Sequence, residues 1–441
     1  MRRFLVLVAA LVSANIFFES QAKAVEVERV VSPDGVTAWL VRDHSNPVVS
    51  MRFAFRGGSE LDPADQAGLS NLVASTLDEG AADLDSQAFR QILADESITL
   101  RFDAGYDRFS GRVKTLTENL DLSMDLLHKA LSQPRFDEEP VARLKSQIIA
   151  GIKKDSENPG KMAYNVLYET FFPGHGYARD SDGEVETVAA ITRGDLRDFV
   201  RTRLARSNLI VGVVGDVTPE RLGALLDKAF GALPEHPRIT RQPEATPKAT
   251  GRLQVIDRAI PQSTIVFGHG GIKRDDPDYY TAVVMNHILG GGSFTSRLFE
   301  EIREKRGLAY SVGSSIYPMD HAGVIIGSAA TENARVPETL AIIRAEWARM
   351  AAGELSQEEL DNAKTYITGS FPLRFTSTDA IARILVGMQL HDLGLDYLDR
   401  RDEYIGAVSL DDVKRVAAKY LRPNALDIVI VGKPAGVVPT H

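Results

Sequence analysis

The sequence predicts an α+β protein: two homologous α/β-roll domains, each a mixed sheet with helices on one face, meeting as a clamshell across a cavity. Three observations lead there. The chain has 441 residues, room for two to three domains at roughly 150 residues each. Its 44% hydrophobic and 25% charged residues are the balance of an ordinary globular protein that can bury sizeable cores. Its two halves repeat each other, so the folding unit is about half the chain.

The N-terminus reads as an address. Met1-Arg2-Arg3 is a basic n-region, Phe4 to Ser13 an apolar run too short to span a membrane comfortably, and Ala22-Lys23-Ala24 an A-x-A cleavage pattern. Residues 1–24 are therefore expected to be a signal peptide cut after Ala24, and the mature chain to be a periplasmic protein without a membrane segment. Zero cysteines suit an oxidising compartment. They also exclude disulfides, thiolate metal sites and cysteine nucleophiles. A formal charge of −9 argues against a nucleic-acid partner, since neutralising phosphates takes a surplus of Lys and Arg.

The elements then follow in order. Met51, Phe53 and Phe55 alternate with their neighbours as a half-buried strand does. Leu69, Leu72, Val73, Thr76 and Leu77 have helical spacing, with Gly80 as a stop. Ile98 to Val113 reads as two strands around a turn, and Thr117 to Leu131 as an amphipathic helix. Thr192 caps a helix running toward Asn208, followed by an apolar strand from Leu209 to Gly215. Ser409 caps its counterpart, which reaches Asn424 and gives way to a strand from Leu426 to Gly432, an offset of about 217 residues. Near the start of each half, Gly57-Gly58 and Asp62-Pro63 match Gly270-Gly271 and Asp276-Pro277. Such a period is far too long for a solenoid. The expected boundaries are an N-terminal domain at 25–233, a linker at 234–251 carrying Pro234, Pro237, Pro243 and Pro247, and a C-terminal domain at 252–441.

Familiar catalytic chemistry is missing. No two of the 9 histidines lie within a helical turn of each other, so no helix offers a His pair to a metal. No G-x-S-x-G elbow occurs. Gly290-Gly291-Gly292 lacks the lysine of a phosphate loop and reads as a flexible or close-approach turn. Beyond it, Leu298, Phe299 and Ile302 form a helical stripe, Gly307 stops the helix, and Leu308 to Val312 reads as a strand. Arg306 then sits at a helix C-terminus and Tyr310 on the strand beyond. From spacing alone, the arginine complements the helix dipole and the tyrosine is half-buried packing.

The stretch Arg297 to Tyr310, led by the triple glycine, resembles the second half of pitrilysin-like zinc peptidases, the inverzincins that include the mitochondrial processing peptidases. Gly57-Gly58-Ser59-Glu60, Gly68-Leu69 and Phe172-Pro173-Gly174-His175-Gly176-Tyr177 extend the resemblance over nearly the whole mature chain. Active members carry H-x-x-E-H on the helix after Gly-Leu and a distant glutamate. Here the two histidines fall on Asn71 and Ser75, the general base on Ala74 and the distant glutamate on Gly151. The resemblance therefore implies a chain that binds no zinc. The family's Arg and Tyr, which face the zinc half-site and bind the scissile carbonyl region, fall on Arg306 and Tyr310. Some bacterial members are heterodimers in which one subunit keeps H-x-x-E-H and the other the Arg/Tyr pair; this chain resembles the second kind. The expected partners are then a homologous zinc-bearing subunit and peptide substrates. A non-catalytic structural relative, like the family's subunits in respiratory complexes, and a lone peptide-binding protein are the alternatives.

Overall fold

The computed structural model describes residues 26–440; the expected signal peptide at 1–24 lies outside the described residues. Six strands make the first sheet: β1 (Glu28–Val31), β2 (Thr37–Arg42), β3 (Val48–Arg56), β4 (Thr99–Ala104), β5 (Arg108–Leu116) and β6 (Leu209–Gly215). Five make the second: β7 (Leu253–Asp257), β8 (Gln262–Gly270), β9 (Ala309–Pro318), β10 (Gly323–Glu332) and β11 (Asp427–Gly432). Their spatial orders are β1-β2-β6-β3-β5-β4 and β7-β11-β8-β10-β9. In each, one parallel pair (β2 with β6, β7 with β11) is followed by antiparallel pairs to the far edge. Apart from β1, the second sheet reproduces the first strand for strand, so the internal repeat is a repeat of topology. β4 and β9 are corresponding edge strands.

The repeat extends to single contacts. Thr192 and Ser409 each cap their helix in a capping box with the acid three residues on, Asp195 and Asp412. Both helices stop earlier than their patterns run, at Arg203 and Tyr420. The last residue of each then holds the aspartate of the early loop. Arg203 Nη1 donates to Asp62 Oδ1 at 2.8 Å, and Tyr420 Oη to Asp276 Oδ2 at 2.6 Å.

Each half packs its own helices against one face of its sheet, around Phe53, Phe55 and Leu127 in the first and Phe267, Ile325 and Trp347 in the second. The other face is covered by exchange. Helix Pro159–Phe171 of the first half lies on β8 and β11, burying Leu167 and Phe171 against Val266 and Val429. Helix Thr378–Leu390 of the second half lies on β3 and β6, burying Leu385 and Met388 against Val214. The half-buried reading of β3 is corrected by this. Met51, Phe53 and Phe55 face the core as expected, but Ser50 and Ala54 on the opposite side are fully buried too. On that face Arg52 forms a two-pronged ion pair with Asp379, Nε to Oδ1 at 2.7 Å and Nη2 to Oδ2 at 2.6 Å.

Residues 234–252 carry no helix or strand. They are tied to both halves: Arg238 N donates to Thr202 O at 2.6 Å and Ala245 N to His321 O at 2.8 Å. The two rolls meet as a clamshell with a polar cavity of about 690 Å³ between them, reached by Arg56, Arg274 and Asp320.

Candidate functional site

The helix where the family's zinc motif would stand is Leu69–Thr76, and it carries other chemistry. Asn71 Nδ2 donates to Asp182 Oδ1 at 3.1 Å, and Ser75 Oγ to the backbone oxygen of Asn71 at 2.9 Å. Ala74 is buried. Gly151, on helix Glu138–Asp155, faces open space, with nothing within 4 Å of where a Cβ would be. Zinc needs imidazole nitrogen, thiolate or carboxylate oxygen around it. These four positions offer an amide and a hydroxyl already spent, a methyl and a hydrogen, so they do not fit the ion. Among the described residues no group of three or more His, Asp or Glu is placed to hold a metal. The acidic corner beside Asn71 instead holds an ammonium: Lys161 Nζ lies 2.8 Å from Asp180 and 3.3 Å from Asp182.

Two buried histidines have structural partners. His269 is fully buried, accepts from Trp347 Nε1 at 2.8 Å through Nε2 and lies 2.6 Å from Gly270 O through Nδ1. Burial pushes it down to about 4, so it is neutral near pH 7. His175 caps a short turn by accepting from Tyr177 N at 3.1 Å.

The Arg306/Tyr310 region is built by two irregular helical turns. His287–Gly291 is a π turn that ends in the triple glycine, and Arg297–Phe299 continues into a second π turn, Glu300–Glu304. The first is pressed against β9. A Cβ on Gly290 would lie 2.4 Å from Ser314 Oγ and 2.8 Å from Ser314 N, so only glycine allows this approach. Gly307 takes φ of 59°, the left-handed region that ends the helix and turns the chain into β9.

β9 is the sheet edge and is bulged at the tyrosine. Val312 pairs with Ala329 and Ala309 with Thr331, so Tyr310 and Ser311 together oppose Ala330. The extra residue puts both Tyr310 and Ser311 on the exposed side. Tyr310 is 83% exposed, which removes the half-buried packing role that spacing alone suggested. Its ring is steadied by Arg303, whose guanidinium lies 4.8 Å from the Tyr310 centroid and 4.7 Å from that of Phe299.

Arg306 is exposed and held by one carboxylate. Its Nη1 donates to Glu301 Oε2 at 2.6 Å and to Glu301 O at 2.7 Å. Its Nε and Nη2 have no hydrogen-bond partner among the described residues. Lys305 and Arg306 together hold the Glu301 carboxyl below its ordinary range. The arginine is thus presented with two donor groups free, beside a free phenol, on an open surface. Neither residue lines the cavity between the rolls or the large cavity of the C-terminal half. The sequence pointed to both residues but not to Glu301 or Arg303. Glu301 to Lys305 has ordinary helical spacing; the π turn is what brings Arg306 to the same carboxylate.

Comparison with known proteins places the fold in a family. The family model described as insulinase (peptidase family M16) matches residues 37–181, and the one described as peptidase M16 inactive domain matches 190–367. An uncharacterized zinc protease of Streptomyces coelicolor is 31% identical over 327 residues, covering 70% of this chain and 69% of that protein. The Helicobacter pylori protein named non-peptidase homolog YmxG is 25% identical over 95% of this chain and 96% of its own. The crystal structure of a peptidase M16 inactive domain from Pseudomonas fluorescens superposes with a TM-score of 0.87 at 28% identity, over 94% of this chain and all of that one. The chain belongs to peptidase family M16. Within it, this chain carries Asn71, Ala74, Ser75 and Gly151 in place of the zinc motif and resembles the inactive, pitrilysin-like type.

Proposed function

We propose that this chain is the non-zinc subunit of a heterodimeric, periplasmic zinc peptidase. A homologous partner bearing H-x-x-E-H supplies the zinc, and this chain supplies Arg306 and Tyr310. The observation that carries the reading is the split condition of the site. Arg306 and Tyr310 are presented on an open surface with donors unspent, while Asn71, Ala74, Ser75 and Gly151 cannot hold the metal they would serve. Peptide hydrolysis builds negative charge on the carbonyl oxygen, and a guanidinium with a phenol hydroxyl are preorganised donors for it. The free edge of β9 supports a peptide lying as an added strand beside Tyr310. A relative from Lentinula edodes, 24% identical over 74% of this chain, is named mitochondrial-processing peptidase subunit beta, a protein that works as one subunit. The signal pattern at 1–24 and the lack of cysteine support the periplasm.

The test has two arms. Metal analysis of the purified chain is expected to find no stoichiometric zinc, and the chain alone to cleave no peptide. Mixed with the zinc-bearing subunit, it should give a peptidase whose rate falls roughly 10- to 1000-fold on Arg306→Ala or Tyr310→Phe, in kcat more than in KM. Wild-type turnover in both variants would return the pair to surface roles. The name of the Helicobacter relative favours the second reading, a catalytically inactive structural or peptide-binding relative; that outcome would select it.

A further inference from the structure

The C-terminal half contains a cavity of about 680 Å³ that the peptidase reading does not use. It lies between helix Tyr279–Asn286, helix Gln357–Gly369, helix Thr378–Leu390 and helix Tyr397–Gly406. Its walls are mixed: Tyr279, Tyr366, Phe371 and Tyr397 with Val283 and Met388 supply rings and aliphatic surface, and Asn286 and Ser370 are polar. Three arginines reach it, Arg274, Arg374 and Arg401, and no Asp or Glu lines it.

The arginines are held in different ways. Arg274 has no carboxylate partner; it stacks 4.2 Å from the Tyr279 centroid and donates to Tyr280 Oη at 2.8 Å. Arg374 makes no hydrogen bond or ion pair among the described residues. Arg401 is buried, 3.8 Å from the Phe371 centroid, with Asp402 at 2.9 Å. The two histidines that also line the cavity, His287 and His391, are lowered by burial. The positive charge there is therefore the arginines' own.

The repeat sharpens the contrast. The equivalent place in the first half, between helices Glu138–Asp155 and Pro159–Phe171, is a cavity of about 570 Å³ lined by six carboxylates, Asp155 and Glu169 among them. The second copy has none. Arg274 is half-buried and Arg374 exposed, and neither has a carboxylate partner, so both guanidinium groups remain available for charge-assisted hydrogen bonds to an anion. Rings and aliphatic side chains beside cationic and polar groups suit a small molecule that has both an apolar body and a charged group, and the volume falls in the range of such sites.

We propose that this cavity binds an organic carboxylate with an apolar or aromatic body, the acid group on Arg274 and Arg374 and the body among Tyr279, Phe371 and Met388. A free acid and the C-terminal residue of a peptide share this chemistry. The proposal does not rest on the peptidase reading, because the isolated full chain suffices to test it. Calorimetric titration is expected to show saturable one-to-one binding of octanoate, about tenfold or more weaker for octanol, which lacks the charge, and for acetate, which lacks the body. Arg374→Ala, at an exposed residue without partners, should leave folding unchanged and weaken octanoate about tenfold or more. Arg374→Lys should retain part of the affinity. N-acetyl-phenylalanyl-leucine against its C-terminal amide separates the sources: a dipeptide acid stronger than octanoate points to a peptide terminus, a weaker one to a free acid. Octanol binding as tightly as octanoate, no saturable binding, or octanoate binding unchanged in both Arg374→Ala and Arg274→Gln would overturn the proposal.

Discussion

Arg306 and Asn71 show how much one side chain's surroundings decide. Arg306 keeps two donor groups free because a single carboxylate, Glu301, holds only its Nη1. Asn71 spends its amide on Asp182. A third residue makes a measurable statement about pH. Glu60 is 2% exposed, and its Oε2 accepts from Gly58 N at 2.8 Å. Burial pushes its carboxyl from 4.5 up to about 8. The folded state therefore holds a proton that the unfolded chain releases, and this contribution to stability is complete below about pH 4.5 and lost as pH rises toward about 8. The slope approaches about 1.4 kcal/mol per pH unit inside that window. Glu60→Gln should flatten it, read as urea unfolding free energies from about pH 5 to about pH 8. An unchanged slope in the variant would assign the pH dependence to other groups.

The elements around Arg306 and Tyr310 are shaped by close approach rather than by propensity. The π turn His287–Gly291 is stapled to β9 from both sides, Asn286 Nδ2 to Ser314 O at 3.1 Å and Ser314 Oγ to Asn286 Oδ1 at 2.7 Å. Gly290 sits in the gap. Gly290→Ala is expected to cost about 1–3 kcal/mol, the usual scale of overpacking, because behind the Ser314 hydroxyl at 2.4 Å lies Ser314 N at 2.8 Å, backbone that cannot swing aside. Thermal melting checks it. A Tm equal to wild type would mean the π turn can lift off β9 without loss. Here the triple glycine was legible as a close-approach turn. The π turns and the β9 bulge were not, because each inserts one residue, into an i→i+5 hydrogen-bonded turn or opposite Ala330 on the neighbouring strand, and periodicity along the sequence carries no trace of it.

For the whole molecule the governing feature is the exchange of helices between halves. Helix Thr378–Leu390 closes the first sheet and helix Pro159–Phe171 the second, so neither roll completes its own burial. Unfolding should therefore be a single cooperative transition. Arg52 and Asp379 join the halves through side chains only 21% and 22% exposed, so the pair is not washed out by solvent. Arg52→Ala should lower the unfolding free energy by about 1–3 kcal/mol, while the transition stays single. Two separated transitions in the wild-type chain would contradict the exchange as a source of cooperativity.

Read alone, the sequence determined the duplicated α+β plan, the caps at Thr192 and Ser409, the loss of zinc chemistry at Asn71, Ala74, Ser75 and Gly151, and the candidates Arg306 and Tyr310. The plan and the caps are properties of residue identity and of spacing within one element or one repeat, which a linear string preserves; the zinc positions and the Arg306 and Tyr310 candidates came from motifs that resemble a known family. Only the tertiary structure decided that β3 is buried on both faces, that Tyr310 stands out on a bulged edge, that Glu301 holds Arg306, and that three arginines share a cavity free of carboxylates. Each depends on residues tens to hundreds of positions apart, or on one residue of slip in a turn. Burial and pairing between such groups are set by packing, and packing is a relation between elements that no local pattern encodes.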